Sequence, residues 1–366
     1  MVHQYINNGY HIVLDVNSGA IHVVDEVVYD VIPLFEKHSS EEITGLLREK
    51  YSEEEIREAV EEVAQLKKEG SLFTPDTYEA PLIDFKKRPT VVKALCLHIA
   101  HDCNLACRYC FAEEGEYHGR RALMSYETGK AALDFLIANS GSRRNLEVDF
   151  FGGEPLMNFE VVKQLVAYGR EQEKLHDKHF RFTLTTNGVL LNDDIMEFAN
   201  REMDNVVLSI DGRKEVHDHM RPFRKGAGSY DLIVPKFQKF AKSRNQEKYY
   251  VRGTYTHFNT DFSKDVLHLA DLGFKQISVE PVVAEETDDY AIKEEDLPVL
   301  FKEYDDLAAE MVRRNKAGNG FNFFHFMIDL EGGPCVYKRL SGCGSGTEYL
   351  AAVSYTHLRA HETSQD

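Results

Sequence analysis

The chain has 366 residues, enough for two or three domains of ordinary size, and 43% of them are hydrophobic against 28% charged, a mix that supports packed cores. Lys and Arg total 43 against 61 Asp and Glu, a formal charge of −18 that repels phosphate backbones and anionic lipid. Nucleic acid and membrane are therefore excluded as main partners. No apolar run reaches the roughly 18 residues of a membrane-spanning helix, and the start Met1–Tyr5 carries no secretion signal, so a cytoplasmic location is expected. Six cysteines in such a chain point to metal or catalysis rather than to disulfides.

The first segment, 1–78, reads as a hairpin followed by three helices. From Tyr10 the residues alternate, with Ile12, Leu14 and Val16 on one face and His11, Val13 and Asp15 on the other. Asn17-Ser18-Gly19 supplies a turn, and Ile21–Val24 resumes as the second strand. Val27–Glu36 predicts a short helix, interrupted near Pro33. Ser39 with Glu42 and Ser52 with Glu55 are capping boxes, and Ile56, Val60, Val63 and Leu66 then recur at helical spacing up to a stop at Gly70. Ser71-Leu72-Phe73 predicts a closing strand. The pattern is winged-helix-like, which usually indicates DNA binding. However, Glu53, Glu54, Glu55, Glu58, Glu61 and Glu62 on one helix have the wrong sign for a phosphate backbone. A peptide added as a strand to the hairpin edge suits the segment better, and a solvated face on a scaffold domain is the alternative. Residues 79–92, with Pro81 and Lys86-Lys87-Arg88-Pro89, read as a linker.

From 93 to 315 strands and helices alternate. The strands are Lys93–Ile99, Leu146–Phe151, Phe180–Thr186, Val206–Ile210, Tyr249–Thr256 and Gln276–Glu280. The helices are Ser125–Asn139, Phe159–Leu175, Asn192–Arg201, Tyr230–Ser243 and Phe262–Leu272. Six β/α repeats with nearly continuous apolar strands predict an α/β fold with a parallel sheet, open or curved toward a barrel, and chemistry at the carboxyl ends of its strands. Polar and glycine-rich groups gather there: Gly152-Gly153-Glu154, Thr186-Asn187, Ser209 with Asp211, Arg252 and Thr254, and Glu280.

The first strand is followed by Cys103-Asn104-Leu105-Ala106-Cys107-Arg108-Tyr109-Cys110, three thiols in eight residues. Three thiolates on one loop can hold three irons of a [4Fe–4S] cluster and leave the fourth iron open. A structural zinc with His101 or His118 as fourth ligand is the alternative, although no second ligand pair is evident. Cys96, inside the first strand, reads as a small buried hydrophobe.

Cys103-x3-Cys107-x2-Cys110 resembles the motif of the radical S-adenosylmethionine (SAM) enzymes, over about residues 93–285 and with the motifs in the family's order. The resemblance implies a partial (β/α)6 barrel in which Cys103, Cys107 and Cys110 bind a [4Fe–4S] cluster whose open iron is chelated by SAM. It implies that Gly152, Gly153 and Glu154 hold the SAM amino group, and that Ser209 and Asp211 contact its ribose or carboxylate. Arg252 is then the partner of the carboxylate, with a salt bridge inside the barrel as the alternative. Tyr109 either stacks beside the adenine or packs as core. Thr186 and Asn187 either line the site or cap a helix.

Residues 316–350 resemble the opening of the SPASM extension, which binds auxiliary [4Fe–4S] clusters, with Cys335 and Cys343 as the ligands present. No cysteine follows Cys343, so auxiliary clusters are expected to be incomplete and the segment truncated. Residues 351–366 have no helical or strand period and read as a foreign tail. In this company the 1–78 segment is similar to the PqqD-like elements that recognise precursor peptides. The whole order most resembles the thioether-forming maturases of SCIFF peptides (six cysteines in forty-five residues). It implies a Cys-rich precursor peptide bound through its leader, and a low-potential electron donor. Other peptide or protein modifications, such as formylglycine formation or carbon–carbon crosslinking, are the enzymatic alternatives, and a non-catalytic leader-binding scaffold is the other.

Overall fold

The computed structural model describes residues 1–76, 90–117, 119–328, 344 and 346–353. They fall into two compact units, one of residues 1–76 with 328 and one of residues 90–117, 119–327, 344 and 346–353. Cys335, Cys343 and His118 lie outside the described residues, as does most of the expected linker.

The first unit is a three-stranded antiparallel sheet in the order β1 (Val2–Asn7), β2 (Tyr10–Asp15), β3 (Ile21–Val24), followed by α1 (Glu26–Phe35), α2 (Ser40–Leu47) and α3 (Glu53–Lys68). The sheet thus has one strand more than the expected hairpin. Val13 faces the helices and joins Val28, Val31, Ile32, Ile43, Ile56, Ala59, Val63 and Leu72 in one core. Asp15, on the same face, is fully buried because it is satisfied: it accepts from Asn17 N and Ser18 N at the turn and from Thr74 N at 2.8 Å. Both capping boxes form. Two expectations fail. Pro33 does not interrupt α1; its missing N–H leaves the Tyr29 carbonyl unbonded, and the Gln4 side chain donates to it at 2.8 Å. Ser71–Phe73 is no strand, but a bend that buries Leu72 and stacks Phe73 on Phe35.

The second unit carries the remaining elements. In chain order they are β4 (Ala94–His101), β5 (Ala122–Leu123), α4 (Tyr126–Asn139), β6 (Asn145–Gly152), α5 (Phe159–His176), β7 (His179–Thr186), α6 (Asp193–Glu202) and β8 (Met203–Ser209). Then come α7 (Lys214–Met220), α8 (Tyr230–Ser243), β9 (Tyr249–Tyr255), α9 (Phe262–Asp271), β10 (Gln276–Pro281), α10 (Leu297–Lys316), β11 (Asn322–Phe323) and β12 (Tyr349–Ala352). The sheet runs β11-β10-β9-β8-β7-β6-β4-β12, parallel throughout, with short β5 antiparallel to β4. Among the described residues its two ends do not pair, so the described sheet is open.

One core holds Leu95, Leu97 and Ile99 of β4, their register neighbours Val148, Phe150, Phe182 and Leu184, and the apolar stripes of α4, α5, α6, α8, α9 and α10. Helices on a single face are the barrel arrangement rather than the doubly wound one. The alternate residues Cys96, Asp149 and Thr183 form a row on the opposite face. Cys96 is therefore half-buried beside Asp149, not a core hydrophobe, and burial pushes its thiol up to about 12. Ala351 and Ala352, expected in the tail, stand in β12 against β4.

Candidate active site

β4 ends at His101 and the chain turns at once into the cysteine loop. The turn is crowded. A Cβ on Gly153 would stand 2.2 Å from the Asp102 carbonyl oxygen, and one on Gly152 (φ +125°) 2.4 Å from that of Ala100. Without side chains these glycines let the end of β6 lie against the loop, where Gly153 N donates to Ala100 O at 2.8 Å and Glu154 N to Asp102 O at 2.9 Å. Cys103, Cys107 and Cys110 then line one cavity of about 150 Å³ with Tyr109, Gly152, Gly153, Thr186, Asn187, Ser209 and Arg221. A larger hollow of about 640 Å³ lies between α6 and α8, but it is an open surface where Lys239 pairs with Asp193, and no thiol or aromatic side chain lines it.

Burial pushes the Cys103 thiol up to about 12 and the Cys107 thiol to about 11, the latter opposed by the Arg221 charge. Both are protonated until a metal displaces the protons. Among the described residues no three of His, Cys, Asp or Glu are placed to hold a single metal ion. The three sulfurs line a common wall instead. A cubane with irons at alternate corners takes one thiolate on each of three irons and so spreads them out, whereas zinc gathers them at one point. Asn187 adds a polar contact: its Nδ2 donates to Cys103 Sγ at 3.5 Å and to Asn104 Oδ1 at 2.7 Å. The donor set fits an iron–sulfur cluster.

Two expected cavity residues stand behind the wall. Glu154 is fully buried, its Oε1 accepting from Leu156 N and Thr186 Oγ1, its Oε2 from Asn187 N at 2.8 Å. It ties β6 to β7, and burial raises its carboxyl to about 6. Asp211, also fully buried, accepts from the Tyr109 hydroxyl at 2.7 Å and from Thr254 N, and burial raises it to about 6 as well. Tyr109 is thus anchored by its hydroxyl. Thr186 and Asn187 make turn bonds to Gly188 N and Val189 N, while Asn192 caps α6. Arg252 forms an ion pair with Glu280 and is half exposed, outside the cavity wall.

The sequence reading missed the segment after α7. Arg221 lines the cavity and donates through Nη1 to the Tyr109 hydroxyl at 2.8 Å, and Arg224 donates to Asp102 Oδ1 at 2.8 Å and to the Cys103 carbonyl at 2.6 Å. Two arginines around Pro222, just beyond the Asp211-Gly212 turn of so acidic a chain, were the available signal.

Fold and cavity together define a barrel-type α/β domain organised around three thiols at its strand ends. Residues 97–273, just under half of the chain, match the Radical SAM superfamily. That family uses a [4Fe–4S] cluster and SAM. Among curated relatives, an uncharacterized protein of Methanocaldococcus jannaschii is 31% identical over 51% of this chain and 62% of its own. The radical SAM cyclopropyl synthase TigE of Paramaledivibacter caminithermalis is 23% identical, over 46% and 38%. The cysteine-type anaerobic sulfatase-maturating enzyme of Clostridium novyi is 28% identical, over 36% of each. The chain spans less than two thirds of each relative's length. Among solved structures, anSMEcpe with AdoMet and a peptide bound superposes with a TM-score of 0.55 at 20% identity, over 64% of both chains. SuiB of Streptococcus suis with S-adenosylmethionine bound superposes at 0.52 and 16% identity, over 97% of this chain and 82% of its own. Among the described residues no helix is long and apolar enough to cross a membrane.

Proposed function

We propose that this protein binds a leader-bearing, Cys-rich precursor peptide and forms an intramolecular thioether between a cysteine sulfur and a carbon of another residue. The observation that carries the reading is the meeting of Cys103, Cys107 and Cys110 with Gly152, Gly153 and Ser209 around one cavity at the strand ends. The three thiols would hold the [4Fe–4S] cluster, which, fed by a low-potential donor, supplies the electron that cleaves SAM to methionine and a 5′-deoxyadenosyl radical. The Gly153 backbone would hold the SAM amino group and Ser209 would contact its ribose or carboxylate, both from the cavity wall. Glu154 and Asp211 act from behind, fixing the loops that carry Asn187 and Tyr109. Arg252 reaches a SAM carboxylate only by leaving Glu280. No side-chain base is required for the carbon-bound hydrogen, because hydrogen-atom abstraction removes its proton and electron together; the thiol proton would leave to solvent and the remaining electron to an auxiliary cluster.

The first unit supports the peptide partner. Among the described residues β1 and β3 each pair only with β2, leaving strand edges of the kind that accept an added peptide strand. The PqqD-like assignment and the SPASM-type auxiliary ligands Cys335 and Cys343 belong to the same proposal.

The test starts with anaerobic iron–sulfur reconstitution of the chain, then dithionite and SAM, with 5′-deoxyadenosine quantified against Cys107→Ala. The wild type is expected to produce it and the variant not; no product from an iron-loaded wild type refutes the reading. Small Cys-rich peptides encoded beside the gene are then supplied as substrates. A thioether removes two hydrogens and one titratable thiol. The names of TigE and of the sulfatase-maturating enzyme favour carbon–carbon bond formation or cysteine oxidation as the second reading. A carbon–carbon link leaves every thiol titratable.

A further inference from the structure

We propose that Arg221 is the counter-charge of the cysteine loop, a positioning residue whose guanidinium makes the group held by the three thiolates easier to reduce. This rests on the reading of that loop as an iron–sulfur site.

Placement is the first argument. Beyond α7 the chain zips onto the cysteine loop: Ala106 N donates to Pro222 O and Arg108 N to Met220 O, both at 2.9 Å, and Leu105 bridges to Phe223. Arg221 stands between the two accepting carbonyls. Its own N–H donates to His217 O at 2.7 Å, and its carbonyl accepts from Ser229 Oγ at 2.8 Å. Ser229 Oγ in turn meets His217 Nε2 at 2.9 Å. Both backbone groups of this residue are therefore fixed from outside the loop that it serves.

Charge is the second. The side chain is only 12% exposed, and its nearest carboxylate, Asp211, is 3.9 Å away. Nη1 donates to Tyr109, while Nε is buried without a hydrogen-bond partner among the described residues. A buried guanidinium with one carboxylate at that range and an idle donor is poorly compensated by the protein alone. Cys103 and Cys107 share its cavity. Thiolates would therefore complete its pairing.

The consequence concerns one electron. An external low-potential donor gives it up, the oxidised cluster accepts it, and no bond forms or breaks in that step. The added negative charge is favoured by a fixed cation nearby, and cluster potentials follow local charge.

The test uses the full chain, reconstituted as wild type, Arg221→Gln and Arg221→Lys, and titrated with redox mediators while the reduced cluster is followed by electron paramagnetic resonance without SAM. Arg221→Gln is expected to lose at least tenfold in the ratio of reduced to oxidised cluster at a fixed potential, a shift of about 59 mV for one electron. Arg221→Lys is expected to stay within about threefold of wild type. A Gln variant that titrates with wild type overturns the proposal, as does a Lys variant that shifts as far as Gln. If Gln fails to load iron while Lys loads it, the charge is needed even for assembly, and the proposal stands. If neither loads, Arg221 is a structural anchor and the proposal falls. A wild type that assembles no cluster sinks the iron–sulfur reading itself, a separate result.

Discussion

Gly152 and Gly153 matter first for what surrounds them. Both of the closest approaches that a Cβ would make are to backbone oxygens, which cannot swing aside as a side chain would. Gly153→Ala is therefore expected to push the loop entry at Asp102 away from β6 at a cost of about 1–3 kcal/mol. Thermal melting and iron content after reconstitution should both fall; unchanged values would mean that the loop has slack. Glu154 gives a companion prediction. Glu154→Gln places an amide N–H₂ against Asn187 N or the Leu156 N and Thr186 donors, so about 1–3 kcal/mol of stability should be lost in denaturant titration. Residue types at the site were legible in the sequence, because three thiols at that spacing and a glycine pair after a strand have few other uses. Their depth was not. Glu154 and Asp211 read as cavity ligands, yet both are consumed by donors from β7, the Tyr109 side chain and β9, which only tertiary structure brings near.

At the scale of elements, the strands and helices that the sequence revealed are those with a full apolar period. The six central strands start and end within three residues of expectation, since each is buried along a continuous Val, Ile, Leu and Phe face. The elements missed are held by partners rather than by their own pattern. α7 has seven residues and no side-chain cap, and Arg213 before it is held by Asp261 and Asp265 from the α9 end. β12 is a strand because the edge of β4 accepts it. β1 extends a sheet expected to stop at two strands, and through Gln4 it also rescues α1 at Pro33. Gln4→Ala should leave the Tyr29 carbonyl without this donor and cost about 0.5–1.5 kcal/mol. Amide hydrogen exchange would register it as faster exchange along α1, with the amides of α4 and α5 unaffected. Faster exchange everywhere would mean that Gln4 serves more than this one turn.

Across the whole molecule, the buried titratable groups around the site give stability a definite pH dependence. His217 is fully buried; burial first and the Arg221 charge second lower its pKa from 6.5 to about 3. The folded ring therefore stays neutral where the unfolded one takes a proton, so its contribution is present above 6.5 and is lost as pH falls from 6.5 toward 3. Glu154 and Asp211 act with the opposite sign. Their carboxyls, raised to about 6, keep protons that the unfolded chain has released, so stability declines as pH rises from their ordinary values toward 6. On acidification from 6 toward their ordinary values the two acids together offset what His217 withdraws, so its loss is hidden in the wild-type profile. Replacing the ring separates the two effects. His217→Gln is less stable than wild type at pH 7, because its bonds to Ser229 and Asp211 N are disturbed. That gap should narrow by about 2 kcal/mol at pH 5, at 1.36 kcal/mol for each unit below the unfolded pKa. Denaturant titrations of the metal-free chain at the two pH values measure it. A gap that stays constant would show that the ring takes its proton in the folded state. The segment carrying Arg221 would then already have to accommodate a second buried cation beside the thiols.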